Sequence, residues 1–297
     1  MGARQAIRLD GFTKRFGRTT AVSALSLAVA PGEVFGFLGP NGAGKSTTIR
    51  ALLGFLRPSS GDVRVFDVPA HRVRTTHRHL AYVPADVALW PGLTGAEVLH
   101  LLGRLGPPVD LAYRDELVER FALDTDKPCR AYSSGNRQKV ALVAAFATRA
   151  PLLVLDEPTA GLDPLMEQEF RRCVGEARER GHAVFLSSHQ LAEVEAVCDR
   201  VGMLRAGRLV EVADVAELRR MQRTEVEVAF AGEPPELAEV PGVRGLERLD
   251  HWRVRCTLSG PPAAALRALA SAEVTSLAVR EPTLEEIFLD YYGEAGA

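Results

Sequence analysis

The chain has 297 residues, of which 46% are hydrophobic and 25% are charged, and its formal net charge at pH 7 is -2. This composition is typical of a globular protein with a substantial core, and the length favours two domains. The nearly neutral charge gives no bulk argument for nucleic-acid binding, and no uninterrupted apolar run is long enough to span a membrane.

The cysteines and the N-terminus bear on the cellular compartment. The four cysteines are widely spaced and show neither a CxxC pair nor a Cys/His metal pattern. The N-terminal residues lack the apolar segment of a secretion signal. We therefore expect reduced thiols in a cytoplasmic protein.

In chain order, residues 7–30 alternate loosely between apolar and polar side chains and predict two antiparallel edge strands. Phe16 lies between them, after two basic residues. Such an isolated aromatic is usually a packing residue, but its flat face also suits stacking on a nucleotide base. The apolar run 34–38 then predicts a further strand.

Loop 39–46 connects that strand to a predicted helix and has the pattern G-x-x-x-x-G-K-[ST]. Its glycines let consecutive backbone N–H groups point into one concavity, which the positive end of the helix dipole also faces. Lys45 is suited to contact the β- and γ-phosphates of a nucleotide, and the Ser46 hydroxyl is suited to bind Mg²⁺. Between a strand and a helix, the pattern favours nucleoside triphosphate binding over a plain glycine-rich turn.

Residues 94–123 predict helices that are interrupted by the Gly-Pro-Pro at 106–108. Thr94 and Glu97 have the spacing of a capping box, with Thr94 as the N-cap. A Tyr-Ser-Ser-Gly-Asn turn at 132–136 then precedes a predicted helix over 137–148. By itself, such a turn predicts only a helix N-cap.

Two later apolar runs end in polar side chains. Run 152–155 ends at Asp156 and Glu157, and run 183–188 ends at His189. Adjacent carboxylates after a buried strand are costly unless they bind something, and parallel strands present their carboxyl ends to a ligand. We expect Asp156 and Ser46 to hold Mg²⁺, Glu157 to act as the general base and His189 to contact the γ-phosphate.

From Thr224 onward the predicted strands are amphipathic. Val226, Val228 and Phe230 alternate with charged residues, and residues 252–258 alternate in the same way from Trp252. Small helices are predicted over 263–270 and 283–292. These patterns predict a small α+β domain without a catalytic constellation, beginning near residues 221–224.

The ordered set of motifs resembles that of the ATP-binding subunit of an ABC transporter, over residues 5–215. The motifs are the phosphate loop, a Ser-x-Gly signature at 133–135, the Asp156-Glu157 strand, the turn 160–163 and His189. The resemblance implies an α/β P-loop NTPase of the ABC ATPase type, with an antiparallel β subdomain and a helical subdomain. It implies the ATPase domain at 1–220, the helical subdomain near 86–150, and a regulatory or dimerisation α+β domain at 221–297.

The resemblance also implies the cofactors ATP and Mg²⁺ and the site residues. The catalytic residues would be Lys45, Glu157 and His189. Phe16 occupies the position that stacks on adenine, and Asp163 the position that bridges two sites. The implied nucleotide-binding residues are Phe16, Gly39, Pro40, Asn41, Gly42, Ala43, Gly44, Lys45, Ser46, Thr47, Ser133, Gly135 and Asp163. The implied metal-binding residues are Ser46, Asp156 and Asp86.

Two partners follow from the resemblance. One is a second copy of the chain, joined head-to-tail with two ATP molecules between the copies, so that Ser133 and Gly135 contact the γ-phosphate bound by the other copy. The other is a separately encoded integral membrane permease, which would hold the cytoplasmic chain at the inner face of the cell membrane. The tail at 281–288 is similar to that of bacterial subunits that export drugs, antibiotics or lipids. No nucleic-acid partner is expected.

Two departures from the family pattern stand out. The glutamine that the family has after the Tyr-x-Pro strand is replaced by Ala85, which cannot bind Mg²⁺; Asp86 would replace it by a shift of one residue. The signature reads Tyr-Ser-Ser-Gly-Asn instead of the commoner Leu-Ser-Gly-Gly-Gln, with Ser133 and Gly135 retained.

Other functions compete with an exporter ATPase. An ABC-type ATPase can energise import, or act on ribosomes or DNA, but the latter usually join two cassettes or carry a long coiled coil, and neither occurs here. A P-loop GTPase or small-molecule kinase is a further alternative. It is disfavoured because the chain has no Asn-Lys-x-Asp guanine-reading motif and because it would leave the signature at 133–135 unexplained.

Overall fold

A computed structural model of the chain describes residues 5–220, 224–258 and 262–280. The chain divides into two compact units, Met1–Val215 and Ala216–Ala297, each with its own hydrophobic cluster. Within the described ranges, no helix is long and apolar enough to cross a membrane. The helix expected over 283–292 lies outside them.

Strands and helices alternate through most of the first unit. Its strands are β1 (Ile7–Phe16), β2 (Thr19–Val29), β3 (Val34–Leu38), β4 (Ser60–Val65), β5 (Val68–Pro69), β6 (Leu80–Val83), β7 (Leu152–Asp156), β8 (Ala183–Ser188), β9 (Arg200–Arg205) and β10 (Arg208–Asp214). The helices up to residue 220 are α1 (Lys45–Leu52), α2 (Val73–Thr76), α3 (Gly95–Leu105), α4 (Leu111–Arg120), α5 (Ser134–Ala147), α6 (Pro164–Glu179), α7 (Leu191–Val197) and α8 (Val215–Arg220). A short 3₁₀ turn at Cys129–Ala131 precedes α5.

The N-terminal strands form an antiparallel sheet in the order β2-β1-β4-β5. The antiparallel pairing of β1 with β2 is confirmed, with Ile7 opposite Val29. The expectation that both are edge strands is wrong for β1, because β4 pairs with its other side. The reason is that β4 belongs to a distant segment, whose pairing leaves no local trace in residues 7–16.

The central sheet has the order β10-β9-β3-β8-β7-β6 and is parallel apart from the edge strand β10. The residues of β7 and β8 are all buried, as their continuous apolar runs predict. Phe185 packs between Phe35 and Phe37, with ring centroids 5.9 and 5.3 Å away. The carboxyl ends of the adjacent strands β3, β8 and β7 therefore meet at one edge of the sheet.

Helices α4 and α3 both pack against α5. The predicted capping box is confirmed: the Glu97 N–H donates to Thr94 Oγ1 at 3.2 Å, and the Thr94 N–H donates to the Glu97 carboxylate at 2.8 Å. The predicted interruption is also confirmed, because α3 ends just before Gly106 and α4 begins at Leu111.

The second unit begins within α8 and contains an antiparallel sheet and one further described helix. Its elements are β11 (Thr224–Phe230), β12 (Val243–Arg248), β13 (Arg253–Leu258), α9 (Ala263–Leu269) and β14 (Val274–Arg280), with the sheet order β12-β13-β11-β14. Val226, Val228 and Phe230 are buried, as their alternation predicts. Trp252 breaks the predicted pattern, because it precedes β13 and is half-exposed.

Candidate active site

Loop 39–46 joins β3 to α1 and encloses a cavity of about 270 Å³. Gly44 is the N-cap of α1 with a φ of 109°, in the left-handed region that favours glycine. A Cβ atom at this position would lie 2.7 Å from the Ala21 carbonyl oxygen, so a side chain does not fit. The residues that line the cavity are Ala21, Pro40, Asn41, Gly42, Gly44, Lys45, Ser46, Thr47, Ala85 and Glu157.

Lys45 supplies the positive charge of this cavity. Its side chain is only 6% exposed, and its Nζ donates a hydrogen bond to the Gly39 carbonyl oxygen at 2.6 Å. The same Nζ lies 3.4 Å from Oε1 of Glu157. The ammonium group is thus anchored at the cavity wall beside the helix N-terminus, where both charges favour an anion.

Glu157 connects this lysine to the predicted histidine. Its Oε2 lies 2.6 Å from Nδ1 of His189. Its backbone has a φ of 48°, a left-handed conformation that costs a non-glycine residue about 1 to 3 kcal/mol. The Glu157 N–H donates to the carbonyl and hydroxyl oxygens of Ser187, each at 3.2 Å, which holds this conformation in place.

Asp156 lies at the end of β7 and is almost fully buried. Ser187 Oγ donates to Asp156 Oδ1 at 2.5 Å, whereas Oδ2 accepts no hydrogen bond from the described residues and is not fully enclosed. Carboxylate and hydroxyl oxygens are the donors that Mg²⁺ prefers, so Asp156 and the cavity-lining Ser46 fit this ion. Sequence reasoning missed Ser187; the two consecutive serines that end β8 were its only local signal.

The signature residues lie at the start of helix α5. Ser133 is the N-cap of α5, and its Oγ accepts a hydrogen bond from the Asn136 N–H at 3.2 Å. A Cβ atom at Gly135 would lie 2.4 Å from the carbonyl oxygen of Gly161, so glycine is needed for this close approach. Neither Ser133 nor Gly135 lines the phosphate cavity.

Of the consecutive residues Ala85 and Asp86, only the first lines the phosphate cavity. Asp86 borders a neighbouring cavity of about 190 Å³, together with Ala85, Val87, Ser134, Arg137, Gln138, Ala160 and Gly161. The described residues contain no cluster of three acidic, histidine or cysteine side chains that forms a metal site. A metal-binding role for Asp86 stays a prediction.

Comparison with known proteins places these features in a family. Residues 22–160 match the ABC transporter family, and residues 214–292 match the DrrA1-3-like C-terminal domain of ATP-binding proteins. The chain is 36% identical to the daunorubicin resistance ATP-binding protein DrrA3 of Streptomyces coeruleorubidus, covering 97% of this chain and 96% of that protein. It belongs to the ABC transporter ATP-binding proteins.

Further relatives agree with this assignment. The chain is 32% identical to the Nod factor export ATP-binding protein I of Rhizobium etli, covering 97% of this chain and 93% of that protein. A solved ATP-binding subunit of an ABC transporter is similar in structure, with a TM-score of 0.67 and 29% identity over 72% of this chain and 92% of that one. The chain thus has the ABC ATPase fold and belongs to a family of ATP-hydrolysing subunits.

Phe16 and Asp163, two further residues that the ABC pattern singles out, do not line the phosphate cavity. Phe16 ends β1 and is half-exposed, with Nζ of Lys14 5.1 Å from its ring centroid. Asp163 is the N-cap of α6, and its Oδ1 accepts hydrogen bonds from the N–H groups of Leu165 and Met166 at 3.1 Å each. The Asp163 side chain is therefore fixed by the helix start, whereas the Phe16 ring is open to solvent on one side; their roles toward a nucleotide stay predictions.

Proposed function

We propose that this chain hydrolyses ATP at loop 39–46 and thereby powers export of a small molecule through a separately encoded membrane permease. The observation that carries the proposal is the position of the Glu157 carboxylate. It lies at the wall of the phosphate cavity, with Lys45 on one oxygen and His189 on the other. A γ-phosphate bound in this cavity would then have a base, an ammonium group and an imidazole around it, which supports the proposal.

Phosphate binding would use the backbone of loop 39–46 and the side chain of Lys45. The loop N–H groups would donate hydrogen bonds to the phosphate oxygens, and the ammonium group would offset part of their negative charge. Ser46 and Asp156 would hold Mg²⁺, which supplies charge neutralisation between the β- and γ-phosphates when it is bound. Ser187 fixes the orientation of the Asp156 carboxylate through its hydrogen bond to Oδ1.

Hydrolysis would then require Glu157 to accept a proton from a water molecule as the water oxygen attacks the γ-phosphorus and the bond to the ADP oxygen breaks. His189 holds the Glu157 carboxylate through Nδ1. Its other nitrogen, Nε2, is available for the γ-phosphate and donates to it when that nitrogen is also protonated. Lys45 and His189 thus stabilise charge on the same phosphoryl group from two sides.

A second copy of the chain would complete the site. Ser133 and Gly135 do not line the phosphate cavity of their own chain, yet the signature that contains them begins helix α5 with free N–H groups at its start. A head-to-tail dimer with two ATP molecules at its interface satisfies this arrangement. ATP would then join the copies, and its hydrolysis would release them.

The permease is proposed to dock on an apolar groove of about 360 Å³ in the first unit. Phe55 and Trp90 line this groove and are 61% and 48% exposed. A short amphipathic helix from the permease is a suitable occupant, because exposed apolar residues of this kind mark protein interaction sites. This docking would hold the chain at the cytoplasmic face of the membrane.

The direction of transport and the class of substrate are inferred from the relatives. One is named for daunorubicin resistance and another for Nod factor export, and both match nearly the whole chain. Export of a drug, an antibiotic or a lipid is therefore preferred to import. For residues 221–297 we propose a role in regulation or dimer contact, within the region that matches the DrrA1-3-like domain.

Phosphate release by the purified chain and transport by its complex with the permease test this function. ATP hydrolysis that disappears in Glu157→Gln supports the catalytic part. Inside-out membrane vesicles that hold the chain and the membrane protein encoded beside it separate the directions: an exporter accumulates substrate in them with ATP, and an importer does not. An active ATPase that binds no membrane protein would refute the transport part.

A further inference from the structure

Glu193 forms a bridge between two loops of the active site. Its Oε2 accepts a hydrogen bond from Ser188 Oγ at 2.6 Å, and its Oε1 accepts one from Thr159 Oγ1 at 2.5 Å. Ser188 immediately precedes His189, and Thr159 begins the turn that leads to Asp163. Within the described part of the chain, Glu193 makes no ion pair; its carboxylate accepts these two hydroxyl hydrogen bonds and lies in the first turn of α7.

The hydroxyl groups of Ser188 and Thr159 connect Glu193 to the segments that carry His189 and Asp163. Ser188 is fully buried and Thr159 nearly so. Ser188 Oγ also accepts a hydrogen bond from the Gln190 N–H at 2.9 Å and lies 3.1 Å from the Gln190 carbonyl oxygen, which fixes the turn that carries His189. Hydrogen bonds to a carboxylate are roughly twice as strong as bonds between neutral groups, so this bridge is a firm connection.

The bridge closes a ring of contacts around the proposed catalytic base. Glu157 contacts His189 directly, and Thr159 lies two residues after Glu157 in the chain. The ring therefore runs from Glu157 through His189 and Ser188 to Glu193, and returns through Thr159. A further buried contact joins the signature helix to this ring, because Gln138 Nε2 of α5 donates to the Pro158 carbonyl oxygen at 2.9 Å. The loop that carries His189, the turn that leads to Asp163 and helix α5 are therefore all connected to residues 157–159.

We propose that Glu193 is a positioning residue for ATP hydrolysis. It keeps the loop that carries His189 and the turn that begins near Thr159 in a fixed position relative to each other. The proposal rests on the proposed ATPase function. Its consequence is that two segments move together: the loop with His189, which would contact the γ-phosphate, and the turn with Asp163, which would bridge the two sites of the dimer.

The first test compares Glu193→Ala with Glu193→Gln. Glutamine keeps an acceptor and adds a donor, so it can bond both hydroxyl groups without the charge, whereas alanine cannot bond either. We expect about a tenfold fall in kcat for Glu193→Ala, an ATP dissociation constant within about twofold of the wild type, and a kcat for Glu193→Gln within about threefold of the wild type. Glu179→Ala, an exposed glutamate on α6, is the control and should leave all three values unchanged.

Thr159→Val breaks one side of the bridge while keeping the shape of the side chain. It should lower kcat in the same direction as Glu193→Ala without unfolding the protein. A double-mutant cycle of Glu193→Ala with His189→Ala separates the mechanism from a general loss of structure. If Glu193 acts through His189, its substitution lowers kcat by less than about twofold once His189 is already alanine.

Hydrogen exchange provides a readout that does not depend on activity. In the nucleotide-free protein, Glu193→Ala should speed amide exchange in both segments 160–163 and 189–191, and Glu193→Gln should not. Exchange that is unchanged in either segment, a wild-type kcat in Glu193→Ala, or strictly additive effects in the cycle would overturn the proposal. A wild-type chain that hydrolyses no ATP would refute the proposed function instead, and the exchange experiment would still decide the role of Glu193.

Discussion

Oε2 of Glu157 lies 2.6 Å from Nδ1 of His189, and this contact joins the ends of two neighbouring parallel strands. The left-handed backbone of Glu157 turns its carboxylate toward the phosphate cavity rather than continuing the strand direction. The histidine restrains the carboxylate from one side while Lys45 attracts it from the other. The proposed base is thus oriented before any nucleotide binds.

Glu157→Gln tests whether this carboxylate is the general base. We expect a loss of kcat of about 10²- to 10⁴-fold, because the amide cannot accept the proton from the attacking water. ATP binding should persist, and an ATP-bound dimer should accumulate. Phosphate release and light scattering with ATP measure the two effects; turnover near the wild-type rate would remove Glu157 from this role.

Lys45→Ala tests the phosphate contact. Removing the ammonium group takes away a charge-assisted contact, so we expect ATP affinity to fall by about 10- to 100-fold. Titration with a fluorescent ATP analogue gives the dissociation constant. Lys127→Ala is a matched control, because Lys127 is an exposed lysine paired with Asp124; unchanged affinity in Lys45→Ala would contradict the assignment.

Ala85 and Asp86 are tested together because both border the neighbouring cavity, whereas only Ala85 also lines the phosphate cavity. If Asp86 replaces the missing glutamine, Asp86→Ala should lower turnover most strongly at limiting Mg²⁺. Ala85→Gln, which places an amide at the phosphate cavity, should reduce the Mg²⁺ concentration needed for half-maximal turnover. The measurement is the hydrolysis rate against Mg²⁺ concentration, and a normal curve for Asp86→Ala would exclude the metal-binding role of Asp86.

The carboxyl group of Glu176 should make a pH-dependent contribution to the free energy of unfolding. Burial opposes its ionisation, but hydrogen bonds from Arg120 and Tyr113 outweigh that effect and hold the pKa of Glu176 below its ordinary value of 4.5. A carboxyl with a lowered pKa contributes stability above its unfolded-state value and loses it as the pH falls through its folded-state value. Glu176→Gln should therefore lower the free energy of unfolding by about 1 to 3 kcal/mol at pH 7.

Thermal unfolding at several pH values checks this prediction. The difference in stability between Glu176→Gln and the wild type should be constant from pH 7 down to pH 5. It should shrink as the pH falls from about 4.5, where the unfolded-state carboxyl protonates, through the lower folded-state pKa, below which the carboxyl is protonated in both states. Glu179→Ala should show no such dependence. A difference that stays constant through the acid range would mean that the shape of the side chain, and not its charge, is what matters.

Trp90→Ala tests the proposed permease groove. The substitution removes a half-exposed apolar side chain that lines the groove. We expect weaker co-purification of the permease, by about tenfold for an interface hot spot, with an unchanged ATPase rate of the isolated chain. Trp252→Ala is the matched control, since Trp252 is equally exposed but lies in the second unit; equal losses in both variants would argue against the groove.

The chemistry of the phosphate loop and of the two strand ends follows from local sequence. A Gly-rich loop between a strand and a helix, and carboxylates after a continuous apolar run, use residue types and short spacings that are visible in the chain itself. For the same reason the capping box of α3 and the interruption at Gly106 were predictable. Amphipathic alternation likewise predicted β11, whereas β12 and β14, whose residues are mostly exposed, gave no comparable signal.

Only the tertiary structure decided which distant groups meet. Thr159 and Glu193 are separated by 34 positions, and Ser187 and Asp156 by 31, so no short-range pattern pairs them. The sequence also left open whether Asp86 replaces the missing glutamine, because consecutive residues leaving a strand can face opposite ways; in the structure Ala85 lines the phosphate cavity and Asp86 does not. Local spacing determines which chemistry is available, and the packing of strands and helices determines which of those groups can act together.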